Sequence, residues 1–346
     1  MNMSNYNKKR PLIALIVPTG IGASIGGYAG DASQTAQMFA KNFNVIVNPN
    51  VVNAACFSGI TENMLYTEGW AFTQFMKGNL NLIPSQNNKI GIIFDKGISQ
   101  GILNVHINTI NAVKTVYGIN VIGYEITKEP CEIEFYNTES GISSGRVSNE
   151  KTLIEAGKNL IRKGAEVIAV VCKFDEPPED NYKYGDEVDI VGGVEAIISH
   201  FLTKELKVPV VHAPAFEDIT ITKDLVDKKV AAEYITPTFL PCLLIALKNS
   251  PLYSYNNRAL YSICRKNLQA VIMPYNSLGS SIVLDAIKAK IPVYAVKENS
   301  TVLNVTKDKI KKIDIIETET YIECLNKIKG KYWWTKREQD LPYQKF

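Results

Sequence analysis

Residues Pro11 to Asp31 read PLIALIVPTGIGASIGGYAGD, an apolar segment that runs into a glycine-rich loop. Leu12 to Val17 is uninterrupted apolar sequence between two prolines, too short to span a bilayer and suited to a strand buried on both faces. Five glycines follow within eleven residues: Gly20, Gly22, Gly26, Gly27 and Gly30. Asp31 comes next, with capping-box spacing to Gln34, and predicts a helix carrying Ala32, Ala36, Phe39 and Ala40 on one face. A backbone free of side chains between a buried strand and a helix start lets N–H groups turn toward an anion. The competing reading is steric: glycines let backbone pass close over a neighbouring strand. The spacing is neither a phosphate loop, since no Gly-Lys-Ser/Thr follows, nor a complete dinucleotide fingerprint.

The pattern repeats along the chain. Strands are predicted at Asn44–Val52 (interrupted by Asn48-Pro49-Asn50), Lys89–Phe94, Ile119–Ile126, Ala165–Val171, Val208–Val211, Ala270–Met273, Pro292–Val296 and Ile313–Glu317. Helical periodicity occupies Glu62–Met76, Ile102–Val116, Thr152–Arg162, the run opened by Gly192-Gly193, the run begun by Thr236-Pro237-Thr238, and the stretch after Ser280. Strand and helix in alternation predict an α/β fold with largely parallel sheets flanked by helices, Rossmann-like, in two similar lobes with a cleft between them. The polar stretch Tyr136–Asn149 (YNTESGISSGRVSN) sets the boundary between an N-terminal half, 1–140, and a C-terminal half, 141–346, with a flap over a cleft as its alternative. The acidic segment Asp175–Asp189 reads as a surface loop.

Composition narrows the classes. The net charge is +3, with 46% hydrophobic and 21% charged residues, as in an ordinary globular protein, and no basic block supports nucleic-acid binding. The N-terminus MNMSNYNKKR precedes too short an apolar run for a signal peptide or anchor, so the expected location is cytoplasmic, with no membrane partner. The six cysteines form no CxxC pair, which argues against a zinc cluster or disulfide framework. The tail after Gly330, with Trp333-Trp334, reads as an amphipathic cover for a groove or a second subunit, so a homo-oligomer, such as a homodimer, is a candidate state.

The runs VPTGIGASIGGYAGDA, NPNVVNAA, LYTEGWA, HAPA, TPTFLPC and MPYNSLG…IPVYAVKENSTVLNVT, from about Leu12 to Thr306, resemble a bacterial and plastid-lineage family known as domain of unknown function 3326. The resemblance brings no activity, cofactor or site residue with it. Candidate chemistry therefore comes from residue types.

Three constellations compete. Cys56 and Cys172 in opposite halves invite a two-thiol racemase reading, but AACFSG and VVCKFD do not match that family's contexts, and buried structural cysteines are the simpler account. His200 and His212 with Asp189, Glu195 or Glu217 hold the residue types of a metal site without its short spacings, and no metal is assigned. GGVEAIISH…VPVVHA has a loose likeness to the GG-x-E helix of cobalamin-pathway phosphoribosyltransferases.

The third constellation leads. Thr19, Gly20, Gly22, Gly26, Gly27, Asp31, Asn50, Asn53, Thr238, Asn276, Gly279, Asn299 and Thr301 form the binding set, His212 at a strand end is the acid or base, and Glu298 and Glu68 are carboxylate partners. This predicts lyase- or isomerase-type acid–base chemistry on a small carboxylated or phosphorylated metabolite. A non-catalytic metabolite-binding or regulatory protein, and a phosphoribosyl-type transferase, are the alternatives. No cofactor is assigned.

Overall fold

A computed structural model describes residues 10–177, 181–255, 262–310 and 315–340. Ten strands build two parallel sheets. The larger has the order Ile315–Thr318, Val293–Val296, Leu268–Pro274, Leu12–Leu15, Asn44–Val47, Met64–Tyr66. Numbered along the chain within that sheet, this is 6-5-4-1-2-3, the order of a doubly wound dinucleotide-binding sheet. The smaller has the order Val210–Ala215, Val167–Lys173, Ile90–Phe94, Val121–Ile126, and all its strands lie in the segment between the third and fourth strands of the larger one. The expected Rossmann-like α/β architecture with largely parallel sheets is what the chain adopts. Both sheets draw strands from either side of residue 140, so the pairing does not follow a division there. Tyr136–Asn149 contributes instead to an antiparallel pair, Ile133–Asn137 with Ser143–Val147.

Burial on both faces explains the apolar strands. Ile13, Leu15, Val45 and Val47 face Ala36 and Phe39, while Leu12, Ala14 and Ile46 face Phe72, Phe75 and Val283. One core runs from the first face across the smaller sheet, taking in Ile92, Phe94, Ala169 and Val211 with the helix Leu240–Lys248. On the smaller sheet's other face Ile93, Ile168 and Val170 pack against Leu153, Ile198 and Leu202.

Several local expectations are corrected. The helix expected over Glu62–Met76 is a strand, Met64–Tyr66, then a helix, Gly69–Lys77, because Glu68 caps that helix by accepting from Trp70 N (2.7 Å) and Ala71 N (3.1 Å). Asn44–Val52 stops as a strand at Val47, where Pro49 opens a helical turn. Thr236–Thr238 precedes the helix Leu240–Lys248 rather than starting it. Asp31 does not cap the first helix: that helix is Ser33–Ala40 with Ala32 at its N-cap, and the Asp31 carboxylate turns back to accept from Gly26 N at 2.7 Å. Residues 313 and 314 of the last predicted strand, and the side chains of Trp333 and Trp334, lie outside the described residues.

Candidate functional site

In a doubly wound sheet the ligand crevice opens at the switch point, here between Leu12–Leu15 and Leu268–Pro274. In this chain residues 299–305 fill it. Ser24 N donates to Ser300 O (2.7 Å) and Val302 N to Ile21 O (3.0 Å), while Leu278 N and Asn276 O bind Val305 (3.0 and 2.9 Å). Asn276 ties Thr301 and Leu303, donating to both carbonyls (2.9 and 2.7 Å) and accepting from Thr301 N and Oγ1 (3.0 Å each). Buried Asn299 clamps Ile25 through both N and O (3.1 and 2.7 Å) and donates to Tyr321 Oη (2.7 Å). The backbone N–H of Gly279's neighbour Leu278 belongs to the same filled region, and a side chain at Gly279 would meet Val305 at 3.3 Å. Glu298 accepts from Tyr321 N at the start of the last helix.

The glycine loop is likewise spent on its own chain. Gly26 N is taken by Asp31, and Ala29 N by Glu233 Oε1 (2.9 Å). Gly20 O accepts from Ser143 N (2.8 Å), and a Cβ on Gly20 or Gly22 would meet Ser143 O at 3.0 Å or Val188 Cγ2 at 2.7 Å. At Gly27 a Cβ would stand 2.1 Å from Ala23 O. Close packing and internal carboxylates thus account for much of a loop whose spacing suggested an anion cradle.

The open space lies elsewhere. A cleft of about 1260 Å³ runs beyond the carboxyl ends of Leu12–Leu15, Asn44–Val47 and Met64–Tyr66 and against the strand Val210–Ala215 and the helix Gly192–Leu206. Thr19, Gly27, Asn50, Asn53, Glu68 and His212 of the expected set line it. Gly20, Gly22, Gly26, Asp31, Thr238, Asn276, Gly279, Glu298, Asn299 and Thr301 are not among its lining residues, so the expected pairing of His212 with Glu298 is not made. Asn50 donates to Pro18 O (3.2 Å) and Gly26 O, and Asn53 accepts from Tyr66 Oη (2.9 Å). Glu68 is buried, and beyond capping its helix it pairs with His200 Nε2 at 3.0 Å.

His212 sits inside its strand, third of six residues, rather than at the end. Its side chain is 0% exposed, and Glu195, whose side chain is 23% exposed and also lines the cleft, has its Oε1 3.2 Å from His212 Nδ1. The His212 ring stacks on Phe174 (5.2 Å, 24°). Burial pushes His212 down to about 3 and Glu195 up to about 8, so the pair is neutral and shares one proton. With that proton on Glu195, Nδ1 accepts and Nε2 carries the ring hydrogen. Sequence reading placed Glu195 among metal-ligand residue types and within the GG-x-E likeness, but not as an acid or base. Its signal was the GG-x-E opening of an apolar helix, since a carboxyl three residues from a helix start emerges beside the adjoining strand end.

Glu233 is a second carboxyl in the cleft, accepting from Ala29 N and from Tyr182 Oη (3.0 Å) and pushed up to about 8 by burial and by Asp189. Tyr28 and Tyr182 pack at 5.3 Å beside it. These tyrosines, and Asp189, come from the loop at 16–31 and the segment read as a surface loop, whose Asn181–Tyr184 turn lines the cleft. Eight acidic residues line the cleft against one lysine, Lys183. That balance is a poor match for the phosphate or carboxylate expected from the loop. The thiol of Cys172 is 0% exposed and burial holds its pKa well above the ordinary range, so it is no nucleophile, and Cys56 accepts from Thr236 Oγ1 at 3.1 Å. No group of three or more His, Cys, Asp or Glu among the described residues has the arrangement to hold a metal ion.

Fold and site define a two-sheet parallel α/β protein whose cleft presents buried, proton-holding carboxyls. The chain belongs to the family described as Protein of unknown function (DUF3326), which matches residues 12–331. It is 34% identical over 296 residues to an uncharacterized lipoprotein of Synechococcus sp., covering 84% of this chain and 82% of the relative. That finding corrects the cytoplasmic location expected from the N-terminal composition: a short apolar run in this chain was too thin a basis for it. No helix among the described residues is long and apolar enough to cross a membrane. No solved structure matches.

Proposed function

We propose that the protein is a proton-transfer enzyme of lyase or isomerase type, with Glu195 as the acid/base that touches substrate. The observation that carries this is the cleft-facing Glu195 carboxyl, 3.2 Å from a buried neutral imidazole and pushed up to about 8. A carboxyl tuned near the working pH both gives and takes a proton readily. His212 acts through Glu195 as a positioning residue, holding the carboxyl's orientation from a side that water does not reach. Glu233, with its own proton and fixed by Tyr182 and Ala29, supplies a second acid in the same cleft.

The test is hydrogen exchange. Metabolite fractions incubated with the protein in D₂O are examined by mass spectrometry for deuterium at carbon. Protein-dependent incorporation that Glu195→Gln abolishes supports the reading, with His212→Gln shifting its pH profile. Incorporation unchanged in Glu195→Gln overturns it. A second reading, a binding protein that captures a solute without turnover, draws support from the cleft beside two α/β sheets and from the relative's name as a lipoprotein. It predicts a ligand retained by wild type with no exchange in any fraction.

A further inference from the structure

We infer that Phe216 and Phe239 wall an apolar subsite of this cleft, and that the molecule entering it carries an uncharged aromatic or branched aliphatic group that packs on these two rings. The inference rests on the reading of the cleft as the substrate site and adds the chemical class of one end of what enters it.

Three features point the same way. The first is where the rings stand. Phe216 directly follows the strand Val210–Ala215 and Phe239 directly precedes the helix Leu240–Lys248, so the touching pair sits at a strand's carboxyl end, where open α/β sheets take their ligands. Ring contacts connect the pair to the acid–base residues: His212 stacks on Phe174 (5.2 Å), Phe174 meets Phe216 edge-on (6.2 Å), and Phe216 meets Phe239 edge-on (6.4 Å). The second is their exposure. Phe174 is fully buried, whereas Phe216 and Phe239 are only partly buried and line the cleft. Bare aromatic surface on a concave wall favours an apolar group, because covering it removes that surface from water. The third is the company they keep. Pro214, Ile219, Pro237, Cys242 and Leu243 share the lining, and none carries a charge. The polar side chains among them are engaged within the chain: Thr236 Oγ1 donates to Cys56 Sγ (3.1 Å), Thr238 Oγ1 accepts from Leu240 N (3.3 Å), and Asp218 accepts from Thr220 N (2.7 Å). A charged group set against these rings would leave water without a partner on them.

The wall is also formed in advance. Phe216 lies between Phe174 and Phe239, and Phe239 packs on the core that contains Leu240 and Leu243. A preformed wall receives a rigid ring or a branched chain with little ordering of the protein.

Saturation-transfer NMR titration of the full chain with a set of primary amides tests this: phenylacetamide and 3-methylbutanamide carry the apolar group, acetamide lacks it, and succinamate puts a carboxylate in its place. The expected result is saturable binding of the two apolar amides, each displacing the other, with acetamide and succinamate weaker by about tenfold or more. Phe216→Ala and Phe239→Ala should each weaken the apolar amides by about fivefold or more. Thermal melts of each variant separate lost binding from lost fold. If an alanine variant does not fold, the leucine variant at the same position, which keeps apolar volume and removes the ring, is expected to weaken phenylacetamide more than 3-methylbutanamide. Acetamide or succinamate binding as tightly as the apolar amides, no binding of the apolar amides, or apolar-amide affinities unchanged in the folded variants each overturns the inference. Apolar-amide binding lost in the variants, with no deuterium exchange in any metabolite fraction, would remove the acid–base reading and leave the apolar subsite standing. Exchange confined to metabolites without an apolar group, and unchanged in folded Phe216→Ala, would do the reverse.

Discussion

Raising the pH from 6.5 to 8 should destabilise this protein, and replacing Glu233 by glutamine should remove part of that loss. Glu233 and Glu195 are each lifted from 4.5 to about 8 by burial, so between those values the folded state keeps two protons that the unfolded chain releases. Folded binding exceeds unfolded binding, so the stability these groups contribute is fully present below pH 4.5 and is lost as pH rises through about 8. His212 works in the opposite direction, since its folded value is lowered to about 3 and the unfolded ring gains a proton below 6.5, but above 6.5 it no longer opposes them. At about 1.4 kcal/mol per pH unit and per group, the climb from 6.5 to 8 costs roughly 2 kcal/mol for each carboxyl. Urea denaturation at half-unit intervals measures it. Wild type should lose stability across that window, and Glu233→Gln and Glu195→Gln should each lose about half as much. A wild-type stability that is flat or rises from 6.5 to 8, or variants with the wild-type slope, would refute the assignment of buried protonated carboxyls.

Gly27→Ala places a Cβ 2.1 Å from Ala23 O at a residue whose φ is not positive, so the cost is steric: about 1–3 kcal/mol of stability, read as a lowered melting temperature. Asn299→Ala removes the bonds to Ile25 and to Tyr321 Oη from a buried position and should cost on the order of 1–3 kcal/mol in the same assay. Glu68→Ala unties the N-cap at Trp70 and Ala71 and should lower stability by about 0.5–2 kcal/mol.

The fold was legible where burial is two-sided. Leu12–Leu15, Ile90–Phe94 and, up to Cys172, Val167–Lys173 are runs without a polar side chain because helices cover both faces, and local sequence carries that directly. What local sequence does not carry is which strands pair. Leu12–Leu15 lies beside Leu268–Pro274 across more than 250 residues, with the second sheet built in between, and no periodicity encodes that distance. The site was legible in pieces. His212 drew notice as a histidine at a strand end, but strand ends are imprecise in sequence, and it lies within Val210–Ala215 with Glu195 3.2 Å from its Nδ1. Asparagines that read as ligand donors, Asn276 and Asn299, are satisfied inside the chain, because a buried amide offers the same bonds to backbone as to a ligand. The glycines were visible, yet spacing alone does not separate a cradle from a close approach, and Gly27 against Ala23 shows the second.

The most direct measurement is a carbon-13 NMR titration of the Glu195 side-chain carboxyl, assigned by its disappearance in Glu195→Gln. The account predicts a carboxyl that is still protonated at pH 6.5 and titrates near 8, shifting when His212 is replaced by glutamine. A Glu195 carboxyl that titrates at 4.5, as in an unfolded chain, would contradict it.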